Sequence, residues 1–192
     1  MTSYLLSGPA GEPVSLDAAK AFLRLDTTDE DALVTTLITA ARLHIEGVTG
    51  QALLAQSWRL VLDDWPVTAM VCLPLGPLQS LTAITAYDAD GNADDLSLDG
   101  VLWDATATPP RLYLPAGFGA GAVLRSRQGI EIDFVAGYGS DPADVPAPLC
   151  QAMLSLIAYW YENRDAVILA GSGAIVPTGF DRLVAPYRSV RL

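Results

Sequence analysis

A lone histidine, two cysteines and one acid-rich loop are the residues that could carry chemistry in this chain of 192 residues. A general base needs a nucleophile or a metal beside it, and His44 stands between Leu43 and Ile45 in an apolar-periodic segment, where it reads as a packing histidine. No GxSxG frames a serine, and no Cys and His spacing suits zinc. Cys72 and Cys150 each fall in an apolar stretch and read as buried thiols. In "DADGNADD", Asp88, Asp90, Asn92 and Asp94 alternate as in an oxygen-rich calcium loop, yet Gly91 comes too early and Asp99 replaces the closing glutamate. Asp90-Gly91 between two strand-like runs instead predicts a hairpin turn. "GFGAGA" lacks the lysine of a phosphate loop, and no helical pattern follows it. These residues assign no catalytic group, no metal and no cofactor.

Composition narrows the remaining classes. Hydrophobic residues make up 51% and charged residues 17% of the chain, an apolar balance that leaves surface for a partner subunit to cover. Acids outnumber bases 22 to 11, for a formal charge of -11. Gripping a nucleic-acid backbone requires clustered cations, and none cluster before the last eleven residues, so a sequence-reading DNA or RNA binder is disfavoured. An acidic surface repels DNA, which suits a protein that works beside DNA without holding it. No apolar run reaches the length of a membrane span, and the first residues lack a basic region before their short apolar patch, so neither a span nor a signal peptide is expected.

The elements that must position these residues follow from hydrophobic period. Ser15 is placed to cap a short helix over 16–24, with Leu16, Ala19, Phe22 and Leu23 on one face. Thr28 is expected to cap a long helix in which Leu33, Leu37, Ala41, Ile45 and Val48, flanked by Val34 and Ile38, recur until Gly50. From Trp58 the period drops to two, and strand-like runs separated by Pro, Gly, Asn and Asp continue to Tyr138. Trp58, Trp65, Trp103 and Trp160 fall where burial is expected. Pro146 and Pro148 open a second long helix to about 163, with Leu149, Met153, Leu156, Ile157 and Trp160 on one face and Arg164 at its end. A glycine-rich loop over 165–176 precedes a last helical turn. The fold class is α+β: a helical core of two long and two short helices, from 1–55 and 144–187, with a small antiparallel β domain inserted over 56–143 and a C-terminal arm at 188–192.

The order of four segments, "SLDAAKAFLRLDTTDEDALVTTLITAARLHIEGVTGQALLAQSW", "LPLGPLQSLTAITAYDADGN", "VAGYGSDPADVPAPLCQAMLSLIAYWYENR" and "PTGFDRLVAPYR", resembles the head-to-tail connector, or adaptor, proteins of tailed bacteriophages and phage-derived gene transfer agents. That resemblance implies a structural virion protein made in a bacterial host, located at the head-tail junction. It implies a ring of about twelve copies beneath the portal protein, next to a tail-side neck or stopper protein, with DNA passing through without specific binding. In that setting Arg182, Tyr187, Arg188, Arg191 and Leu192 read as an interface arm toward the portal or a neighbouring copy, because arginine forks and aromatics are enriched where proteins hold each other. Two other classes stand beside this one: a small metal-binding or hydrolytic enzyme using His44 or the Asp88–Asp99 loop, and a DNA-packaging accessory that binds duplex in a salt-sensitive way.

Overall fold

The computed structural model describes residues 1–119, 123–163, 177 and 179–188. Helix α1 (Leu16–Leu23) begins where the Ser15 hydroxyl accepts from the Ala18 amide at 3.1 Å. It ends at Arg24, which takes a left-handed φ of 59°. Helix α2 (Asp31–Thr49) stops at Gly50, whose φ of 69° lets its amide reach back to the Glu46 carbonyl at 2.9 Å. Its start differs from the expected one. Thr28 spends its carbonyl on the Asp31 amide, closing a turn, and Glu30 occupies the cap position with no side-chain bond to the helix. Helix α3 (Ala147–Glu162) starts behind Pro146, and the short α4 (Phe180–Val184) follows Gly179.

Val34, Ile38, Ala41 and Ile45 of α2 meet Leu149, Ala152, Met153, Leu156 and Ile157 of α3, and Phe180 and Val184 of α4 close the cluster. These positions are three and four apart, so each helix turns one apolar stripe inward. Helix α1 contributes Ala19 fully, with Leu16 and Leu23 half-buried; Phe22, expected on that face, is exposed.

The β region holds two antiparallel sheets. Strands β1 (Thr2–Ser7), β2 (Gln56–Leu62), β3 (Met70–Cys72), β4 (Leu78–Tyr87), β5 (Ala93–Asp95), β6 (Leu102–Asp104), β7 (Arg111–Tyr113) and β8 (Ile130–Ala136) follow in chain order. The larger sheet runs β1-β2-β8-β4-β5 and the smaller β3-β7-β6. Leu60, Ile84, Ile130, Ile132 and Phe134 of the larger sheet share a core with Val71 and Leu112 of the smaller one and with Leu73 just after β3. Alternate residues point the other way. There the Arg59 guanidinium forks onto Asp133 at 2.6 and 2.7 Å and meets Glu131 at 2.6 Å, while the Tyr87 hydroxyl donates to Glu131 at 3.0 Å. Strand β1 places part of residues 1–55 on the sheet and not among the helices. Its Tyr4, Leu5 and Leu6 are all exposed, so it has no in-out alternation for sequence reading to detect.

The two clusters are joined by one buried polar group. Glu46 Oε1 accepts from the Leu53 amide at 3.0 Å and from Gln56 Nε2 at 2.8 Å, while Oε2 accepts from Arg42 Nη1 at 3.1 Å. Arg42 in turn donates through Nε to Glu12 at 2.8 Å. Burial raises the Glu46 carboxyl pKa more than these donors lower it. The arrangement therefore fixes where α2 sits against β2 more than it adds net stability. Beside it, Gly137 has φ of 140°, and a Cβ there would lie 2.4 Å from the Leu54 carbonyl carbon and oxygen.

Glu46→Ala should lower unfolding free energy by about 2–4 kcal/mol, because it leaves the buried Leu53 amide and Gln56 Nε2 without an acceptor and takes one of two carboxylates from Arg42, which keeps Glu12; denaturant titration by circular dichroism reads this. Gly137→Ala should cost about 3 kcal/mol or leave the protein insoluble, since strain at this φ and a backbone clash act together. A loss under about 1 kcal/mol in either variant contradicts the role given to that residue.

Candidate interaction surface

The residues with chemical potential do not converge. His44 is half-buried, with its ring 5.9 Å from that of Trp160 and 5.5 Å from that of Phe180, and burial lowers its pKa. Among the described residues its Nε2 has no hydrogen-bond partner. The acid-rich loop is the β4–β5 hairpin. Asp88 Oδ1 accepts from the Asp90 and Asn92 amides at 2.9 and 2.8 Å, its Oδ2 accepts from Asn92 Nδ2 at 2.8 Å, and Gly91 takes φ of 87°. These bonds hold the Asp88 carboxyl below its ordinary pKa, so its oxygens are spent on the turn. Among the described residues no three His, Cys, Asp or Glu side chains gather as a metal set. Cys72 and Cys150 are free and half-buried, and burial raises the Cys150 thiol. A recess of about 30 Å³ lies between Gln51, Pro77, Pro109 and Pro110; it has room for a water, and Thr108 gives it a hydroxyl but no titratable side chain lines it.

The glycine stretch begins at Gly117, and its described part packs against a side chain. Phe118 meets Trp65 edge-on at 5.4 Å, and a Cβ on Gly119 would strike the Trp65 ring at 2.6 Å. Residues 120–122 lie outside the described residues, as do Arg164 and the 165–176 loop. Trp58, Trp65 and Trp160 are half-buried, but Trp103 is 45% exposed and corrects the expectation of burial. It sits on the small sheet, too narrow to cover both faces of β6 (Leu102 there is also exposed).

The C-terminal stretch is anchored from inside. Phe180 and Val184 are buried, a 3₁₀ turn over Ala185–Tyr187 follows α4, and the Tyr187 carbonyl accepts from Gln51 Nε2 at 2.8 Å. Gln51 Oε1 accepts from the Tyr138 hydroxyl. Burial, with Tyr187 nearby, pushes the Tyr138 phenol up to about 12. Of the five arm residues named from sequence, three are described. Arg182 and Arg188 are exposed, and Arg188 Nη2 pairs with Asp181 Oδ1 at 2.6 Å; Tyr187 is half-buried against the helical cluster. Arg191 and Leu192 lie outside the described residues.

Charge is distributed unevenly. Lys20, Arg42, Arg59 and Arg188 are each engaged by a carboxylate, whereas Asp26, Asp29, Asp90, Asp94, Asp95, Asp99 and Asp141 are exposed. The surface the described residues present is thus strongly acidic. Among them no helix is long and apolar enough to cross a membrane.

Comparison with known proteins supplies the family. Residues 13–89 match the model of the phage gp6-like head-tail connector proteins. No curated protein sequence matches the chain. Solved structures do: a chain from the neck of an empty gene transfer agent particle, determined with C6 symmetry, is 30% identical over 100% of this chain and 97% of its own length, with a TM-score of 0.77. A chain from the virion of a native gene transfer agent particle matches with the same identity, coverage and TM-score. A chain from the neck of the native particle, determined with C12 symmetry, matches at 28% identity and a TM-score of 0.73 over the same shares. The fold is thus shared with chains of gene transfer agent particles, two of them from particle necks, and the chain belongs to the gp6-like family of head-tail connector proteins.

Proposed function

We propose that this chain is the adaptor at the head-tail junction of a virion or gene transfer agent particle, a passive coupling with no catalysis of its own. About twelve copies form a ring beneath the portal and above a tail-side neck or stopper protein, and the genome leaves through that ring. The observation that carries this reading is the full-length match, at 30% identity, to a chain in a particle neck, together with a second such match in a neck of C12 symmetry.

The surface supports the same reading. A channel wall that bound phosphates would stall a moving duplex, whereas exposed carboxylates let it slide. Arg182 and Arg188, exposed like Arg24, Arg111 and Arg127, lie in a stretch held by Phe180, Val184 and the Gln51–Tyr187 bond. We assign Arg182, Tyr187, Arg188, Arg191 and Leu192 to contact with the portal or a neighbouring copy.

Removing residues 188–192 keeps buried Phe180 and Val184 and the Gln51–Tyr187 bond, and gives up only the exposed pair of Arg188 with Asp181. The truncated protein should keep its unfolding midpoint within a few degrees yet fail to enter portal-containing particles, read by immunoblot of purified particles; normal entry refutes the arm's role. Purified protein should also leave a labelled duplex unretarded in a gel shift at about 50 mM salt, where electrostatic DNA binding is strong. Salt-sensitive retardation would favour the packaging-accessory reading.

A further inference from the structure

Strand β1 is a long edge strand without charge or proline, and a shift of register at Leu6 is the one irregularity in its pairing. Natural sheets blunt free edges with charge, proline or brevity, because unpaired amides and carbonyls invite another strand. The other end of the five-stranded sheet obeys this: β5 is three residues long and carries Asp94 and Asp95. Strand β1 is six residues, TSYLLS, with neither charge nor proline. Among the described residues it pairs with β2 alone, and Tyr4, Leu5 and Leu6 are 44%, 46% and 45% exposed. Tyr4 and Leu5, in the regular part of the register, point to opposite faces, and both are exposed, so each face of β1 presents an apolar side chain beside its outer edge.

We infer that this edge is where a second copy of the chain docks, adding backbone pairing along β1 and covering Leu5 and Leu6. The inference rests on the ring reading above and names the surface that closes the ring. Two observations select a second copy as the occupant. Copies that each carry a formal charge of -11 must meet where carboxylates are absent, and β1 is the long uncharged edge among the described strands. Matching chains sit in necks determined with C6 and C12 symmetry. Rings of that order need head-to-tail contact, so β1 meets a different surface of the next copy; pairing of β1 with itself would stop at a dimer.

Hydrogen–deuterium exchange of the unmutated chain tests this, comparing free protein with purified particles. The 2–7 segment should exchange at least about tenfold more slowly in particles, since edge amides gain partners there. Leu5→Lys and Leu6→Lys should each cut incorporation about tenfold, through a charge buried at the contact, while Ala89→Lys, at the β4–β5 turn, should incorporate normally. Thermal melts of the free variants show whether they fold. Equal exchange in both states, or normal incorporation of both lysine variants, overturns the inference while leaving the ring reading intact. If the chain is absent from particles, the ring reading falls and this inference with it.

Discussion

A carboxylate in the wrong solvent organises this protein. Glu46 lies inside the junction of helices and sheet, and it is tolerable there only because Arg42, the Leu53 amide and Gln56 all point at it. Each donor comes from a different place along the path from α2 into β2, so shifting the helix by a turn or the strand by one residue would break the set. Apolar contacts alone would accept several such slips. The buried polar group removes that freedom, and the close approach of Gly137 to Leu54 removes more. What results is a fixed angle between an apolar helical layer and a β sandwich, the property a coupling needs if it is to transmit position between two larger bodies.

The charge pattern belongs to the same design. The chain uses most of its few described cations within its own structure: Arg59 rivets the outer face of the larger sheet, Arg42 the junction, and Lys20 joins α1 to α2. Its acids are mostly left at the surface. On the proposed function, a protein arranged this way would leave a polyanion unheld and would meet its partners through uncharged surface or through its exposed arginines.

Much of this was legible in the sequence, for identifiable reasons. The two long helices announced themselves because each buries a stripe of helical period, and the short α1 through its cap; Ser15 and Gly50 cap as their chemistry dictates. The hairpin at Gly91 was equally plain. Strand β1 was not, because a strand whose faces are both exposed carries no pattern, and only pairing with β2 creates it. The Glu46 cluster was invisible for a related reason: a Glu and an Arg four apart on a helix ordinarily face solvent, and only the return of Leu53 and Gln56 buries them. Exposed Phe22 and Trp103 show the limit from the other side, since period places a residue on a face but not under a neighbour. The arm was read from residue type, and the structure adds what holds its base: the Gln51 bond to Tyr187, which no spacing foretold.

The central claim is that this chain is a stoichiometric part of a particle neck. Absolute quantification of peptides from purified, tail-bearing particles against the portal protein measures it most directly. The account predicts one copy of this chain per portal subunit, as in a neck of C12 symmetry. A ratio far below one, or a chain that copurifies with no particle, would contradict it.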